Sequence, residues 1–268
     1  MNPFARLVLE LGQLRQSLDM GDFLGYCAAL AGNAGAVVKY RTLAPVDKAM
    51  RGTIAFVVEG VRILVPLDAM ARMLNGHDET PTFGGAREMY ASNVYLRAFR
   101  KGLKADTVVD LGSNRGLFLL LGAKALGART LVGVEPQSFY TPVFAAAASA
   151  NGLQAGDYTR YERFASATLR ADTITLREIM ERHGLSRIGF LKCDIEGGEF
   201  DVFLGDPDAL RQVDNIGMEL HPKEGDADAL VRTLKDMGFT VVVTDQFANS
   251  VAPAKGHYLY ASRTGDLA

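Results

Sequence analysis

The segment DLGSNRG, residues 110–116, decides the fold of this chain. The residues before it, Thr107 to Val109, are apolar or β-branched, and the segment after it, LFLLLGAKAL, is almost entirely apolar. This arrangement predicts a buried strand, a glycine-rich turn and a buried helix in succession. Because glycine lets the backbone approach a ligand closely, Gly112 and Gly116 predict a small-molecule site at this turn.

Outward from the turn, strand-like and helix-like segments alternate from about residue 104 to the end of the chain. Several of the strand-like runs are apolar on both faces, as expected of a mostly parallel sheet that helices cover on both sides. We therefore predict an α/β fold with a doubly wound, mostly parallel sheet, in which ligands bind beyond the carboxyl ends of the strands. The predicted strands are 107–111, 130–134, 188–193, 215–220, 240–244 and 258–262, and the predicted helices lie near 117–126, 139–150, 176–183 and 227–237.

The first hundred residues have a different character. From Asn2 to about Ala34, leucines recur at spacings of three and four, which predicts an amphipathic helix followed by a break rich in glycine and alanine. The segment TIAFVVEGVRILVPL then predicts a β-hairpin that turns at Glu59 and Gly60. We predict an accessory or lid region over residues 1–103, which could also form a dimer surface, and a Rossmann-like domain over residues 104–268.

Composition limits the partners and the compartment. The chain has 268 residues, 48% of them hydrophobic, and a formal net charge of -2 at pH 7 with no block of like charge, so nucleic acid is not an expected partner. No run of about 18 apolar residues is present, so a membrane span is not expected either. The two cysteines, Cys27 and Cys193, lie in apolar stretches and suggest no disulfide framework, which is typical of a reducing compartment. We expect a cytoplasmic protein.

The polar residues near the turn indicate the charge of its ligand. The spacing is not that of a dinucleotide-binding fingerprint, because Asn114 occupies the place of its second glycine. Asp110 would repel a pyrophosphate but would attract a ligand that carries an ammonium or a sulfonium. Glu135 ends the next predicted strand, where an acidic side chain can accept hydrogen bonds from the hydroxyls of a ribose. These features favour a cationic cofactor that contains a ribose.

Two groups of motifs carry a resemblance to known proteins. VVDLGSNRG and VGVEP resemble the first two cofactor motifs of class I methyltransferases, and FLKCDIEGGEF, residues 190–200, is similar to the K-x-D-x-E-G-x-E segment of the FkbM-type methyltransferase family. The resemblance covers about residues 90–262. It implies the strand order 3-2-1-4-5-7-6 and transfer of a methyl group from S-adenosylmethionine, usually to a hydroxyl of a small molecule such as a sugar, a polyketide or another secondary metabolite. The implied cofactor-binding residues are Asp110, Gly112, Ser113, Asn114, Gly116, Glu135 and Asp194.

One region departs from this pattern. Between the second helix and the TITL segment the chain has only LQAGDYTRYERFASATLRAD and no clean apolar run. The third strand is therefore expected to be short, displaced or missing, and no adenine contact is assigned to residues 152–172.

Methyl transfer to an alcohol requires a group that takes up the hydroxyl proton. The catalytic candidates are Asp194, Glu196 and His221, which follow the fourth and fifth strands of the predicted sheet. His221 has the ordinary pKa nearest neutrality and is the favoured base. Alternatively, Asp194, Glu219 and His221 could hold Mg²⁺ or Mn²⁺, which would lower the pKa of the hydroxyl.

Two charged neighbours of these candidates are expected to have structural roles. Lys192 should pair with a carboxylate, and Glu199 should face solvent at the start of a helix, where acids interact favourably with the helix dipole.

Two other functions of the protein stay open. One is a nicotinamide-dependent oxidoreductase, and the other is a cofactor-binding module without catalytic activity.

Overall fold

The computed structural model describes residues 3–268, with side chains from residue 6 onward. The helices are α1 (Pro3–Ser17), α2 (Met20–Gly32), α3 (Ala34–Tyr40), α4 (Ala44–Asp47), α5 (Leu67–Leu74), α6 (Thr82–Ala86), α7 (Leu117–Leu121), α8 (Tyr140–Ala150), α9 (Leu176–His183), α10 (Glu199–Gly205) and α11 (Ala227–Asp236). The strands are β1 (Thr53–Val58), β2 (Val61–Pro66), β3 (Thr107–Leu111), β4 (Thr130–Val134), β5 (Thr159–Tyr161), β6 (Phe164–Ala165), β7 (Thr173–Ile174), β8 (Ile188–Cys193), β9 (Val213–Glu219), β10 (Thr240–Thr244) and β11 (Tyr258–Ser262). Single π-helical turns continue α6 and α7, at Arg87–Ala91 and Gly122–Leu126.

The chain folds into two compact units that are not consecutive stretches of sequence. The first comprises residues 1–94 together with 139–154, and the second comprises residues 95–138 together with 155–268. Helix α8 therefore belongs to the first unit although it follows β4 of the second in the chain. The predicted division of the chain at residue 103 did not assign residues 139–154 to the first unit. No helix among residues 3–268 combines the length and the apolarity that crossing a membrane requires.

The second unit contains a seven-stranded sheet in the order β10-β11-β9-β8-β3-β4-β5. Numbered within this sheet, the order is 6-7-5-4-1-2-3, which confirms the expected arrangement. Strands β5, β4, β3, β8 and β9 are parallel, while β11 runs antiparallel to both of its neighbours. The α/β prediction, with a mostly parallel sheet, is confirmed.

Apolar residues explain why these segments form central strands. All five residues of β3 are buried, and so are five of the six in β8. Val109 of β3 pairs with Leu191 on one side and Val132 on the other, and these side chains belong to one hydrophobic core with those of α9, α10 and α11. Strands that are buried on both faces are mostly apolar, so their positions are readable from the sequence. The charged exceptions in these two strands are Asp110 and Lys192.

The shortest strand of the sheet is β5, with three residues paired to β4. The expectation of a short third strand is confirmed. In the first unit, the predicted hairpin is also confirmed: β1 and β2 are antiparallel, and Glu59 and Gly60 between them have φ values of 49° and 78°. Two successive positive φ angles are typical of the turn that joins strands most tightly.

The N-terminal segment differs from the prediction. The stretch rich in glycine and alanine is not a break but forms helices α2 and α3. The helical structure is interrupted earlier, between Ser17 and Met20. Asp19 caps α2, since its carboxylate accepts a hydrogen bond from the N–H of Asp22 at 2.9 Å. Tyr26 is fully buried and stacks on Phe83 at 5.3 Å between ring centroids. Alanine's helix propensity, the cap and this packing together outweigh the cost of the glycines.

Candidate active site

The glycine-rich turn lies between β3 and α7, where the sequence places it. Gly112, Asn114 and Gly116 have φ values of 74°, 42° and 72°, so the backbone passes through the left-handed region three times in five residues. The N–H groups of Gly112 and Ser113 both donate to the carbonyl of Val134 at 2.9 Å. The turn is thereby held against the end of β4, at the carboxyl edge of the sheet.

Gly112 is required by a close approach within the protein. A Cβ at this position would lie 1.7 Å from the carbonyl oxygen of Asp194 and 3.1 Å from the side chain of Ile195. The N–H of Asp194 also donates to the carbonyl of Leu111 at 3.0 Å. The turn and the loop after β8 are therefore in direct backbone contact, and only glycine fits between them.

Glu135 lies at the same edge and is buried. Its Oε2 accepts a hydrogen bond from the N–H of Asn114 at 3.0 Å, and its Oε1 accepts one from the N–H of Gln137 at 3.0 Å. An ionised carboxylate has about four acceptor positions. Glu135 therefore braces the turn and still has acceptor capacity for the hydroxyls of a ribose.

The other polar groups of the turn differ in their exposure. Asn114 is exposed, and its side-chain oxygen accepts from the N–H of Arg115 at 2.7 Å. Ser113 is buried, and its Oγ lies 2.9 Å from the position of a Cβ at Gly133, so this hydroxyl faces strand β4. Gly116 is buried at the start of α7. Among the predicted cofactor residues of the turn, Asn114 is the one with an exposed side chain.

Asp110 occupies a different environment from the one its charge suggested. It is fully buried, and its Oδ1 lies 3.0 Å from Nζ of Lys192, which is also buried. Lys192 Nζ also donates to the carbonyl of Gly112 at 2.7 Å. Burial alone would lower the pKa of Lys192, but Asp110 and Asp194 hold it above its ordinary value, so the ammonium stays charged. Asp110 thus faces an internal cation, and the expected pairing of Lys192 with a carboxylate is present.

The loop after β8 carries the predicted acids. Asp194 is half-buried, and its Oδ2 accepts a hydrogen bond from the hydroxyl of Tyr95 at 2.9 Å. Tyr95 is buried, and burial raises the pKa of its hydroxyl well above the ordinary value, so it remains a donor. Glu196 is exposed and adopts a φ of 53°, and Gly197 follows with a φ of 101°. This loop turns sharply and leaves Asp194 and Glu196 accessible at the sheet edge.

Glu199 does not face solvent, contrary to the expectation for an acid at a helix start. It is fully buried, and its Oε1 accepts from both the backbone N–H of His221 at 2.8 Å and the ring Nδ1 at 3.0 Å. The hydrogen bond to Glu199 raises the pKa of His221 to about 9. Burial alone would raise the pKa of Glu199, but the hydrogen bonds from His221 and from backbone N–H groups lower it below its ordinary value. His221 is therefore an imidazolium at neutral pH and does not titrate near neutrality.

The comparison with known families decides what this edge belongs to. Residues 110–241 match the family model described as the Methyltransferase FkbM domain, a span that begins at the glycine-rich turn and includes the loops after β8 and β9. The chain carries a methyltransferase FkbM domain. The resemblance that the motifs predicted is confirmed over these residues.

Individual relatives match smaller parts of the chain. The AMB antimetabolite synthetase AmbE of Pseudomonas aeruginosa is 40% identical over 74 residues, which is 25% of this chain and 4% of that protein. Among solved structures, the N-terminal domain of human METTL16 in complex with SAH has a TM-score of 0.42 at 14% identity, covering 60% of this chain and 61% of that one. Streptococcus pneumoniae Sp1610 in complex with S-adenosyl-L-methionine has a TM-score of 0.39 at 12% identity, covering 60% and 65%.

A metal site of the predicted composition does not form in the FkbM domain. Within residues 3–268, the close group of metal-ligand side chains is Asp194, Glu196 and His221, whose donor atoms lie within 4.8 Å of one another. Glu219 instead lies beside His257, at 3.6 Å. This group offers two carboxylates and one imidazole nitrogen, and Glu196 is exposed. Mg²⁺ and Mn²⁺ prefer about six ligands, mostly oxygens, which is more than these three side chains supply. We therefore assign no role to a divalent cation.

Three residues make contacts at this edge of the FkbM domain that the sequence did not predict. Arg160 of β5 donates from Nη1 to the carbonyl of Asn114 at 2.9 Å, and burial lowers its pKa. Tyr95 anchors Asp194, and Glu199 anchors His221. Arg160 lies in the stretch without an apolar pattern, and Tyr95 is distant in sequence from its partner, so neither had a local signal. For Glu199, its place in the acidic motif was the available signal.

Proposed function

We propose that this protein transfers a methyl group from S-adenosylmethionine to a hydroxyl group of a small molecule. The observation that carries the proposal is the backbone contact between Gly112 and Asp194. Because of this contact, the turn that suits a nucleoside cofactor and the loop with accessible acids share one edge of the sheet. A methyl donor and a proton-accepting group are needed side by side in such a reaction, and this edge offers both.

The cofactor would be held mainly by Glu135 and by the backbone of the turn. S-adenosylmethionine supplies an electrophilic methyl on a cationic sulfur. The two ribose hydroxyls match the acceptor capacity that remains on Glu135, a carboxylate that its hydrogen bonds to Asn114 and Gln137 already orient. The positive charge of the ligand would be balanced by Asp194 and Glu196 and not by Asp110, which Lys192 already neutralises.

Proton removal from the acceptor falls to Asp194 in this arrangement. Its Oδ2 is engaged by Tyr95, while the carboxylate is still partly accessible. His221 carries a proton below a pH of about 9, so it serves as a hydrogen-bond donor and not as the favoured base. Its ring Nε2 lies 3.5 Å from Oε2 of Glu196, on the side away from Glu199. Asp194, on the loop after β8, therefore takes the role of proton acceptor that the sequence analysis gave to His221.

Cofactor binding can be tested on Glu135. Glu135→Ala should weaken the binding of S-adenosylmethionine by about 1 to 3 kcal/mol, the range for loss of a charged hydrogen-bond acceptor. Isothermal titration calorimetry measures this directly, and Glu181→Ala, which removes an exposed acid on α9, is the matched control. A circular dichroism melt of each variant shows whether the fold is retained. Unchanged affinity in a folded Glu135→Ala protein would contradict the assignment.

The reaction itself can be tested with methyl-labelled cofactor and a panel of hydroxylated metabolites. With saturating cofactor, Asp194→Asn should lower turnover by at least about 10²-fold, since the variant lacks the carboxylate that would accept the hydroxyl proton in the transition state. Label found on nitrogen or carbon of the product would exclude O-methylation. Normal turnover in Asp194→Asn would place the proton acceptor elsewhere.

A further inference from the structure

Glu199 is a buried charge that the proposed reaction does not yet use. It is the first residue of α10, and its exposed fraction is 0%. Removing an ionised carboxylate from water is expensive unless hydrogen bonds replace its hydration. An acid that only served the helix dipole could remain in solvent at no such cost. The burial of Glu199 therefore calls for a function beyond starting the helix.

The carboxylate of Glu199 joins the two loops that flank the proposed reaction site. Its Oε2 accepts from the N–H of Gly197 at 2.8 Å in the loop after β8, and its Oε1 accepts from His221 in the loop after β9. These strands are parallel neighbours, with Cys193 paired to Met218 near their ends. One side chain thus fixes the distance between the Asp194–Gly197 loop and His221.

The hydrogen bond from Gly197 to Glu199 lies next to a strained backbone position in the loop after β8. Glu196 has a φ of 53°, which costs energy for a residue with a side chain. At Gly197, an added Cβ would lie 2.7 Å from Cβ of Glu224, so the turn has little room to relax. The N–H of Gly197 donates to Glu199 at this point. The hydrogen bond stabilises the turn that presents Glu196 and its neighbour Asp194.

The hold on His221 decides which ring nitrogen is presented to the site. Both the backbone N–H and Nδ1 of His221 donate to the same oxygen of Glu199, which leaves Nε2 as the ring nitrogen directed elsewhere. Nε2 lies 3.5 Å from Oε2 of Glu196, and the side chain of His221 is 19% exposed. A histidine whose backbone N–H and ring Nδ1 both donate to one carboxylate oxygen has one ring orientation and a protonated Nδ1.

From these contacts we propose that Glu199 is a positioning residue of the methyltransferase site. It sets the ring orientation of His221 and locks the Glu196–Gly197 turn, so that Nε2–H and the acids of the preceding loop face the acceptor together. The catalytic part of this inference rests on the function proposed above, whereas the hydrogen-bonded state of His221 does not.

Glu199→Gln is the sharpest perturbation because it preserves the shape of the side chain. An amide has one oxygen, and its NH₂ group cannot accept a hydrogen bond. The variant can therefore satisfy His221 or Gly197 but not both. Glu178→Gln is the matched control in the same unit, since Glu178 is a largely buried, ion-paired carboxylate on α9 outside the sheet edge.

Kinetics should separate positioning from stability. With the labelled-cofactor assay, Glu199→Gln should lower kcat by about 10²-fold, the order expected when a small displacement misaligns reacting groups. The calorimetric affinity for S-adenosylmethionine and the KM for the acceptor should stay within error of wild type. In Glu199→Gln/His221→Gln, turnover should be no lower than in His221→Gln alone, because residues that act as a unit are not additive. Additive losses, or a kcat equal to that of Glu178→Gln, would overturn the proposal.

Nuclear magnetic resonance of the imidazole tests the contact without any turnover. In the wild-type protein, ¹⁵N-labelled His221 should show a protonated, hydrogen-bonded Nδ1, and this signal should change in Glu199→Gln but not in Glu178→Gln. A wild-type Nδ1 without a proton would overturn the proposal even if Glu199→Gln did not fold. If the wild-type protein methylates no acceptor while this signal is present, the proposed function fails and the Glu199–His221 contact stands.

Discussion

Gly112→Ala is the substitution whose cost follows most directly from the structure. The added methyl would meet the backbone carbonyl of Asp194 at 1.7 Å, far inside contact distance. The obstacle is a backbone oxygen, not the end of a flexible side chain, so the turn and the loop after β8 must separate. Alanine must also adopt the φ of 74° that Gly112 has.

The two effects can be added. A left-handed φ costs a residue with a Cβ about 1 to 2 kcal/mol, and forcing an extra group into a filled space costs about 1 to 3 kcal/mol or more. We therefore expect Gly112→Ala to lower the free energy of unfolding by about 2 to 5 kcal/mol, a large share of the roughly 5 to 15 kcal/mol typical of a folded protein.

Gly127→Ala isolates the contribution of the close approach. Gly127 has a φ of 73°, and a Cβ there would meet nothing closer than Lys104 Cδ at 3.9 Å. This variant should lose about 1 to 2 kcal/mol, from the backbone conformation alone. Urea unfolding followed by far-ultraviolet circular dichroism gives both values. If the two variants lost the same free energy, the close contact between the turn and the Asp194 loop would be refuted.

Three further outcomes are expected. The pKa of His221 is raised from 6.5 to about 9 in the folded protein, so the stability that its charge contributes is fully present below about pH 6.5 and should be lost as the pH rises through about 9. The difference in unfolding free energy between wild type and His221→Gln should therefore shrink between pH 6 and pH 10. A constant difference would contradict the raised pKa. Lys192→Met should cost about 3 to 5 kcal/mol because it leaves Asp110 buried without its cation, and adding Asp110→Asn should recover part of this loss in urea unfolding, unless the two residues do not interact. EDTA should leave methyl transfer unchanged; a loss that Mg²⁺ or Mn²⁺ restored would show that the proximity of Asp194, Glu196 and His221 does serve a metal.

The sequence alone was sufficient for the framework of the second unit. Strands β3, β4, β8, β10 and β11 have the predicted bounds, whereas β9 begins two residues earlier and ends one residue earlier than predicted. Central strands of a parallel sheet are buried on both faces, so they are mostly apolar and can be recognised from the local sequence. The glycine-rich turn and the hairpin at Glu59 and Gly60 were equally local, since they depend on backbone angles that favour glycine.

The tertiary structure decided the state of the charged groups. Asp110 and Glu199 both carry a carboxylate that the sequence placed near solvent or ligand, and both are fully buried. Their partners, Lys192 and His221, are 82 and 22 positions away in the chain and arrive through strand pairing and the loops that follow. The burial of an acid, the pKa of the histidine beside it and the need for glycine at 112 all depend on which segments meet in space. The local sequence identifies a titratable residue, but its charge state depends on burial, nearby charges and hydrogen bonds, which arise only when distant segments meet in the folded chain.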